Sequence, residues 1–438
     1  MHHIRPSIAP YFDCSGNELH VGGVPVSEVV AQYGTPLFIY DRSVLEKKFA
    51  LLQKALPPRF DIFYSVKANP NRTILAFWIA KGCGLEVASG GECYQALAAG
   101  CEPSRILFAG PGKTDAELQY ALEHGVGEIH VESLQEIDRI ACICARLGTY
   151  AHTAVRVNPS EEAQGGAMRM GGLPSPFGID EEDLDLALQR ILAEKRLILQ
   201  GLHCFTGTQI LDYTSLIRQY RKAITIARRV ATQTGTSLRT VDFGGGFGIP
   251  YYPNDVELDI TRFGEEILPL IMEARQQPAF ADTTFLVEPG RYLMGEGGIY
   301  VTRVTTIKES RGKKFLIVDG GMHHHLAASG NLGQVIKRNF PVALLNKLPN
   351  DLSETVQVVG PLCTPLDVLA RDVAFPSAQI GDLVGVFQSG AYARTSSPLG
   401  FLSHPTPPEI WVDAGKVSLI RRRGTYADFV GDLPEDLL

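Results

Sequence analysis

The chain has 438 residues, 45% of them hydrophobic and 20% charged, with a formal net charge of −7. That length points to two domains rather than one, and mild acidity without a basic run excludes nucleic acid and anionic membrane surfaces as partners. No window approaches the ~18 uninterrupted apolar residues of a membrane span, residues 1–14 lack the apolar core of a signal peptide, and none of the cysteines at 14, 83, 93, 101, 142, 144, 204 and 363 forms a C-x-x-C pair. A cytoplasmic protein with neither a disulfide framework nor a zinc site is expected.

The elements follow in chain order. Residues 1–35, with NELHVGGVPV, read as strand and turn. From 36 to 290, short apolar strands are predicted at 36–41, 61–68, 84–89, 105–110, 128–133, 152–159, 199–205, 240–246 and 284–290. Helical patterns, such as 133–148 and 215–235, lie between them. Strands alternating with helices imply a parallel sheet, and eight such units imply a closed (β/α)8 barrel. One of the nine strands must lie outside it, and PLFIYD (36–41) is the candidate. After 290 the chain reads as antiparallel strands without a long amphipathic helix. The expected organisation is α/β: a barrel over 36–290, and an all-β domain built from 1–35 and 291–438. Two oddities remain. MHHHLAASGN (322–331) holds three adjacent histidines; neighbours on a strand point to opposite faces, so a loop or pocket lining is expected and not a metal site. EEAQGGAMRMGGLP (161–174) reads as a mobile loop.

Chemistry-bearing residues sit at the C-terminal ends of predicted barrel strands, where barrel enzymes place their sites. FYSVKANPN ends its strand on Lys67. A lysine near an apolar strand end is either a tolerated charge or an amine kept nucleophilic for a carbonyl. DFGGGFG supplies Gly244, Gly245 and Gly246, a turn whose backbone amides can approach a phosphate. EPGR supplies Glu288 and Arg291. An amine for an aldehyde, a cradle for a phosphate and a carboxylate for a ring nitrogen together suit pyridoxal 5′-phosphate, an electron sink for a carbanion at a substrate Cα.

The ordered motifs YSVKAN (64–69), GLEVASGGE (84–92), GLHCFTGTQ (201–209), VDFGGGFG (241–248), EPGR (288–291), GPLCTPLD (360–367) and SGAY (389–392) resemble those of the fold type III pyridoxal-phosphate decarboxylases, the diaminopimelate and ornithine decarboxylase family. The resemblance runs nearly end to end. It implies a barrel plus a β-domain, and a homodimer with shared active sites. It implies that Lys67 is the Schiff-base lysine and that Glu288 partners the pyridine nitrogen. It further implies that Thr208, Gly246, Gly290, Arg291 and Tyr392 anchor phosphate and ring. Cys363 resembles the partner-donated cysteine that returns a proton at Cα, Asp367 the acid facing a distal amine, and Thr364 and His324 fall on the substrate side. No metal is implied.

Departures from that pattern bear on substrate. Where the family stacks a histidine on the ring, this chain has Phe205; where diaminopimelate decarboxylases carry glutamate after the cysteine it has Thr364; where they carry a loop arginine it has Ala327. SSPLGFLSHPTPPE (396–409) replaces their tail segment. These features are similar to a side branch holding the carrier-protein-linked glutamyl decarboxylase of butirosin assembly and exosortase-associated decarboxylases. The implied reaction is α-decarboxylation of an amino-acid head group, free or tethered to an acyl-carrier protein. The alternatives are a diaminopimelate or other diamino-acid decarboxylase, a racemase (which Glu288 argues against) and a non-catalytic cofactor-binding homologue.

Overall fold

The computed structural model describes residues 10–160, 168–169, 174–332, 334, 337–348 and 353–432. The predicted glycine-rich loop 161–174 lies outside them, apart from 168–169 and 174. Two compact units are present: Phe49–Ile249 with Val256–Tyr292, and Met1–Lys48 with Pro250–Asp255 and Leu293–Leu438.

The first unit is a closed barrel. Parallel strands Phe60–Ser65, Gly84–Val87, Ile106–Phe108, Glu128–Val131, Ala151–Asn158, Leu197–His203, Thr240–Asp242 and Thr284–Val287 pair in chain order, and the last pairs back onto the first. Strands buried on both faces read as continuous apolar runs, which is why all eight were visible in the sequence. Their ends were not. Phe60–Ser65 stops two residues before Lys67, which sits in a 3-10 turn at Val66–Ala68. The helices between strands are set by their caps. Asn71 caps Arg72–Ala80 through Thr73 N–H, and Thr114 and Glu117 form a capping box on Asp115–Glu123, each such cap contributing about 1 kcal/mol. Leu134–Leu147 and Tyr213–Thr234 both end on a left-handed glycine, Gly148 and Gly235, where a side chain would be strained.

The second unit is built on a mixed sheet. Strand Gly298–Ser310 pairs antiparallel with Leu37–Asp41, Lys313–Val318 and Leu383–Val386. PLFIYD therefore belongs to this sheet and not to the barrel. Leu37–Asp41 also pairs parallel with Glu409–Asp413, and Lys313–Val318 parallel with Glu354–Val359, so the sheet is not purely antiparallel. Residues Leu37, Ile39, Ile299, Val301, Ile410 and Val412 pack in one buried cluster with Leu19, Val21 and Val26. Burial of each such side chain is worth about 1.5–3 kcal/mol. That cluster draws the N-terminal strands and a helix, Val26–Tyr33, onto the sheet; the sequence showed the strands and missed this eight-residue helix.

Candidate active site

The site starts from the lysine. Lys67 Nζ lies 2.7 Å from Glu86 Oε2, on the adjacent barrel strand. Glu86 is fully buried and also accepts from the Ser65 hydroxyl. Burial pushes the Glu86 carboxyl up, but the Lys67 ammonium and the hydrogen bonds more than offset it, leaving it below its ordinary value. The amine is therefore aimed by a buried carboxylate, while 42% of its side chain stays exposed.

Next to that turn stands EPGR. A Cβ on Gly290 would lie 2.9 Å from Ala68 Cβ and 3.0 Å from Ser65 Cβ, so only glycine lets the two strand ends approach so closely. Glu288 follows strand Thr284–Val287, and its N–H donates to Gly244 carbonyl at 2.8 Å. The glycine turn is thus stitched to the carboxylate. Gly244 has φ +68 and a Cβ there would meet Phe205 at 2.7 Å; a Cβ on Gly245 would meet Glu288 carbonyl at 2.7 Å. Half-buried Phe205 consequently packs directly over the turn. Thr208 and Gln209 continue its segment. Gln209 ties that segment to the end of the glycine turn, accepting from Ile249 N–H at 3.2 Å and donating to its carbonyl at 2.5 Å. Arg291 is half-buried at the start of a short helix, Arg291–Met294. The barrel unit therefore brings together Lys67, Phe205, Thr208, Gly244, Gly245, Gly246, Glu288, Gly290 and Arg291.

Behind Glu288 lies a group of residues that the motif reading passed over. His130, His203 and Asp242 are fully buried with Glu288, and one ligand atom of each lies within 4.8 Å of the others. Such a donor set could hold a metal ion, and no spacing motif announces it because the four residues come from four separate strand ends. Hydrogen bonds already link two of them to each other and to Glu128: His130 Nδ1 is 2.9 Å from His203 Nδ1 and His130 Nε2 is 3.1 Å from Glu128 Oε1, while His203 Nε2 stands 3.6 Å from Glu288 Oε2, beyond hydrogen-bond reach. Burial, followed by the Asp242 and Glu86 charges, pushes Glu288 well above the ordinary carboxylate range, and burial pushes Asp242 up to about 7. Burial and then His130 hold His203 well below its ordinary value. One signal could have found them: GLEVAS, EIHVES, GLHCF and TVDFGG each carry a charged or imidazole residue inside an apolar run.

The remaining sequence candidates belong to the second unit. Cys363 is exposed and Thr364 half-buried. Tyr392 is half-buried with φ +52, a left-handed conformation uncommon for a bulky side chain. Asp367 is buried, and its two oxygens accept from Met322 N–H at 2.6 Å and Leu362 N–H at 2.9 Å. A Cβ on Gly321 or Gly360 would collide with that carboxylate. Asp367 therefore organises two loops, and its oxygens are already committed to backbone. His324 is buried, with Nδ1 3.1 Å from the Tyr300 hydroxyl.

The residues present fit a phosphorylated pyridine aldehyde. Among the described residues, Glu288 Oε1 is buried without a hydrogen-bond partner, an expensive state unless a donor arrives. The glycine turn leaves no room for a side chain, and Lys67 supplies the amine. Barrel and site together define the class: a fold type III pyridoxal-phosphate decarboxylase. The family model described as "Pyridoxal-dependent decarboxylase, pyridoxal binding domain" matches residues 42–295, more than half of the chain, and the chain belongs to that family. It is 37% identical to L-glutamyl-[BtrI acyl-carrier protein] decarboxylase of Niallia circulans, over 92% of this chain and 95% of that protein. It is 32% identical to diaminopimelate decarboxylase of Aquifex aeolicus, over 95% and 96%. The crystal structure of diaminopimelate decarboxylase from Helicobacter pylori complexed with L-lysine superposes with a TM-score of 0.84 at 29% identity, covering 94% of this chain and all of that one. The protein is a pyridoxal-phosphate-dependent carboxy-lyase acting on an amino acid. No described helix is long and apolar enough to cross a membrane.

Proposed function

We propose that this enzyme removes the α-carboxylate from an amino-acid head group carried on an acyl-carrier protein, glutamyl being the leading candidate. The observation that carries this reading is the 37% identity, over 92% of the chain, to a decarboxylase of that kind. It agrees with the absence of diaminopimelate-type clamps at Thr364 and Ala327. A site that lacks a substrate's buried polar partners discriminates poorly for that substrate.

In this proposal Lys67 Nζ holds the cofactor aldehyde, the amides of Gly244, Gly245 and Gly246 with Thr208, Gly290, Arg291 and Tyr392 hold its phosphate and ring, and Phe205 covers one ring face. Bound there, pyridoxal 5′-phosphate supplies the electron sink for the carbanion left by carbon dioxide. Glu288 holds a proton at the ring nitrogen, Cys363 Sγ returns one to Cα, and Thr364 meets the substrate. Asp367 and His324 hold the substrate-side loops. The working form is a homodimer with Cys363 given across the interface. Eight free cysteines accord with a reducing, cytoplasmic setting.

Carbon dioxide release tests this directly, with free L-glutamate, free meso-diaminopimelate and glutamyl-loaded carrier protein offered side by side. The carrier-linked substrate is expected to be preferred about 100-fold in kcat/KM, the order of discrimination a pocket supplies without buried polar clamps. A clear preference for free diaminopimelate would replace this reading with the second one, for which the 32% identical relative speaks.

A further inference from the structure

We propose that His203, Asp242 and Glu288 form a binding site for one zinc-type divalent ion in the cofactor-free chain, and that ion and cofactor compete there for Glu288. The competition rests on the cofactor reading above, whereas the metal site stands on its donor atoms alone.

Three buried polar atoms meet here without a hydrogen-bond partner among the described residues: His203 Nε2, Asp242 Oδ2 and Glu288 Oε1. With His130, each of these residues offers one ligand atom within 4.8 Å of the others. His203 Nε2 stands 3.6 Å from Glu288 Oε2. That is too long for a hydrogen bond, yet close to the ~3.4 Å between two tetrahedral ligands whose bonds to zinc are ~2.0–2.1 Å long. One imidazole nitrogen and two carboxylate oxygens, with a position left open, suit zinc, whereas magnesium demands near-octahedral oxygen.

Hydrogen bonds behind the site turn its donor atoms inward. Glu128 Oε2 accepts from the Thr240 hydroxyl at 2.7 Å, and Oε1 stands 3.1 Å from His130 Nε2. With Glu128 accepting at both oxygens, as a carboxylate does, His130 carries its proton on Nε2 and accepts at Nδ1. Across the 2.9 Å contact His203 then donates from Nδ1, which leaves its Nε2 lone pair bare. A histidine that ligates a metal commonly donates its other ring N–H to a group that fixes tautomer and ring orientation. His130, backed by Glu128, fills that place. Asp242 is oriented in the same way: Oδ1 accepts from Gly244 N–H at 2.7 Å, so Oδ2 is the oxygen left for the ion.

The charges nearby leave room for a dication. Each neighbouring cation already has a carboxylate of its own: Lys67 Nζ is 2.7 Å from Glu86, Lys113 Nζ 2.9 Å from Glu136, and Arg156 Nη1 2.7 Å from Glu132. Asp242 and Glu288 instead face each other across a shared hydrogen bond. A divalent ion matches these two acids charge for charge, and the proton between them leaves to solvent as it enters. Once bound to the ion, Glu288 has less negative charge to offer a protonated ring nitrogen. Ion and cofactor therefore weaken each other, by the same factor in both directions.

The test uses the full-length chain stripped of cofactor and metal. Equilibrium dialysis against Zn2+ should load one ion per chain, and Co2+ in its place should give the strong visible absorption of a four- or five-coordinate site. His203→Gln and Asp242→Asn, each checked for wild-type circular dichroism, should lower zinc affinity at least about 100-fold, since even residues one step behind a metal ligand carry ~10–100-fold. Bound zinc should raise the Kd for pyridoxal 5′-phosphate about tenfold, and the cofactor should weaken zinc equally. In His203→Gln the cofactor Kd should ignore zinc, whereas zinc captured by free cofactor would act on both proteins alike. No zinc uptake by the wild type, uptake undiminished in both variants, or Mg2+ bound as well as Zn2+ overturns the site. Cofactor affinity indifferent to bound zinc overturns the competition and leaves the cofactor reading standing. A chain that binds zinc through His203 and Asp242 but takes up no pyridoxal 5′-phosphate overturns the cofactor reading, and the competition with it, and leaves the metal site.

Discussion

Two sets of histidines are buried in this chain, one inside the barrel and one in the second unit, and burial has different consequences for them. In the barrel, His130 and His203 are bonded to each other and flanked by Glu128, Asp242 and Glu288. In the second unit, His323, His324 and His325 sit among apolar residues and hydroxyls. His325 bridges Ser389 Oγ at 2.9 Å and Ala328 N–H at 3.3 Å, while both ring nitrogens of His323 are buried without a partner among the described residues. Burial pushes His325 down to about 3 and His323 down to about 4. Imidazoles without a carboxylate thus stay neutral and act as packing. In the barrel, burial and then His130 also hold His203 well below its ordinary value, and the two rings form a hydrogen-bonded link to Glu128. The difference lies in the neighbours, not in the histidines.

Three substitutions press on that contrast. Glu288→Gln should have the largest effect, lowering kcat by about 10²–10³-fold, as loss of a preorganised group stabilising developing charge does, with KM much less affected. Steady-state kinetics would show it, and an unchanged kcat would mean the ring nitrogen is served by another group.

Asp242→Asn comes next and reads out in the cofactor-free protein. Burial pushes the Asp242 carboxyl up to about 7 in the folded chain, from an ordinary value near 3.8. The folded state therefore holds the extra proton between those values, and stability falls as pH rises through that window and stays low above it. The amide introduced by Asp242→Asn cannot titrate, so between pH 5 and pH 8 the variant should gain about 2–3 kcal/mol on the wild type. Denaturant midpoints at the two pH values measure this; parallel pH slopes for both proteins would break the claim that the barrel acids share a proton.

His323→Leu should do least. It deletes two unsatisfied nitrogens from an apolar site, so stability should stay within about 1 kcal/mol of wild type, on the side of gain, with turnover unchanged. A drop in kcat/KM with stability intact would show that the second cluster is a substrate surface and collapse the contrast.

The sequence exposed most of the fold because barrel strands are apolar on both faces and separated by capped helices. It flagged Lys67, Glu288 and the glycines because polar or flexible residues at strand ends are anomalous there. Pairing across distance was harder to read. Leu37–Asp41 pairs with Glu409–Asp413, far away along the chain, and no local pattern announces that. Glu86, His130, His203 and Asp242 lie on separate strands, so their meeting follows from barrel closure and not from spacing. Asp367 shows a further layer: its motif suggests a substrate carboxylate, and the backbone amides of Met322 and Leu362 that its two oxygens also accept from are announced by no motif.

The central claim is that the barrel amine beside Glu86 carries the cofactor. Reducing the pyridoxal 5′-phosphate-loaded protein with borohydride and mapping its peptides tests that most directly. The pyridoxyl group should be found on Lys67, and Lys67→Ala should take up none. Label on any other lysine, or undiminished labelling of Lys67→Ala, would contradict the account.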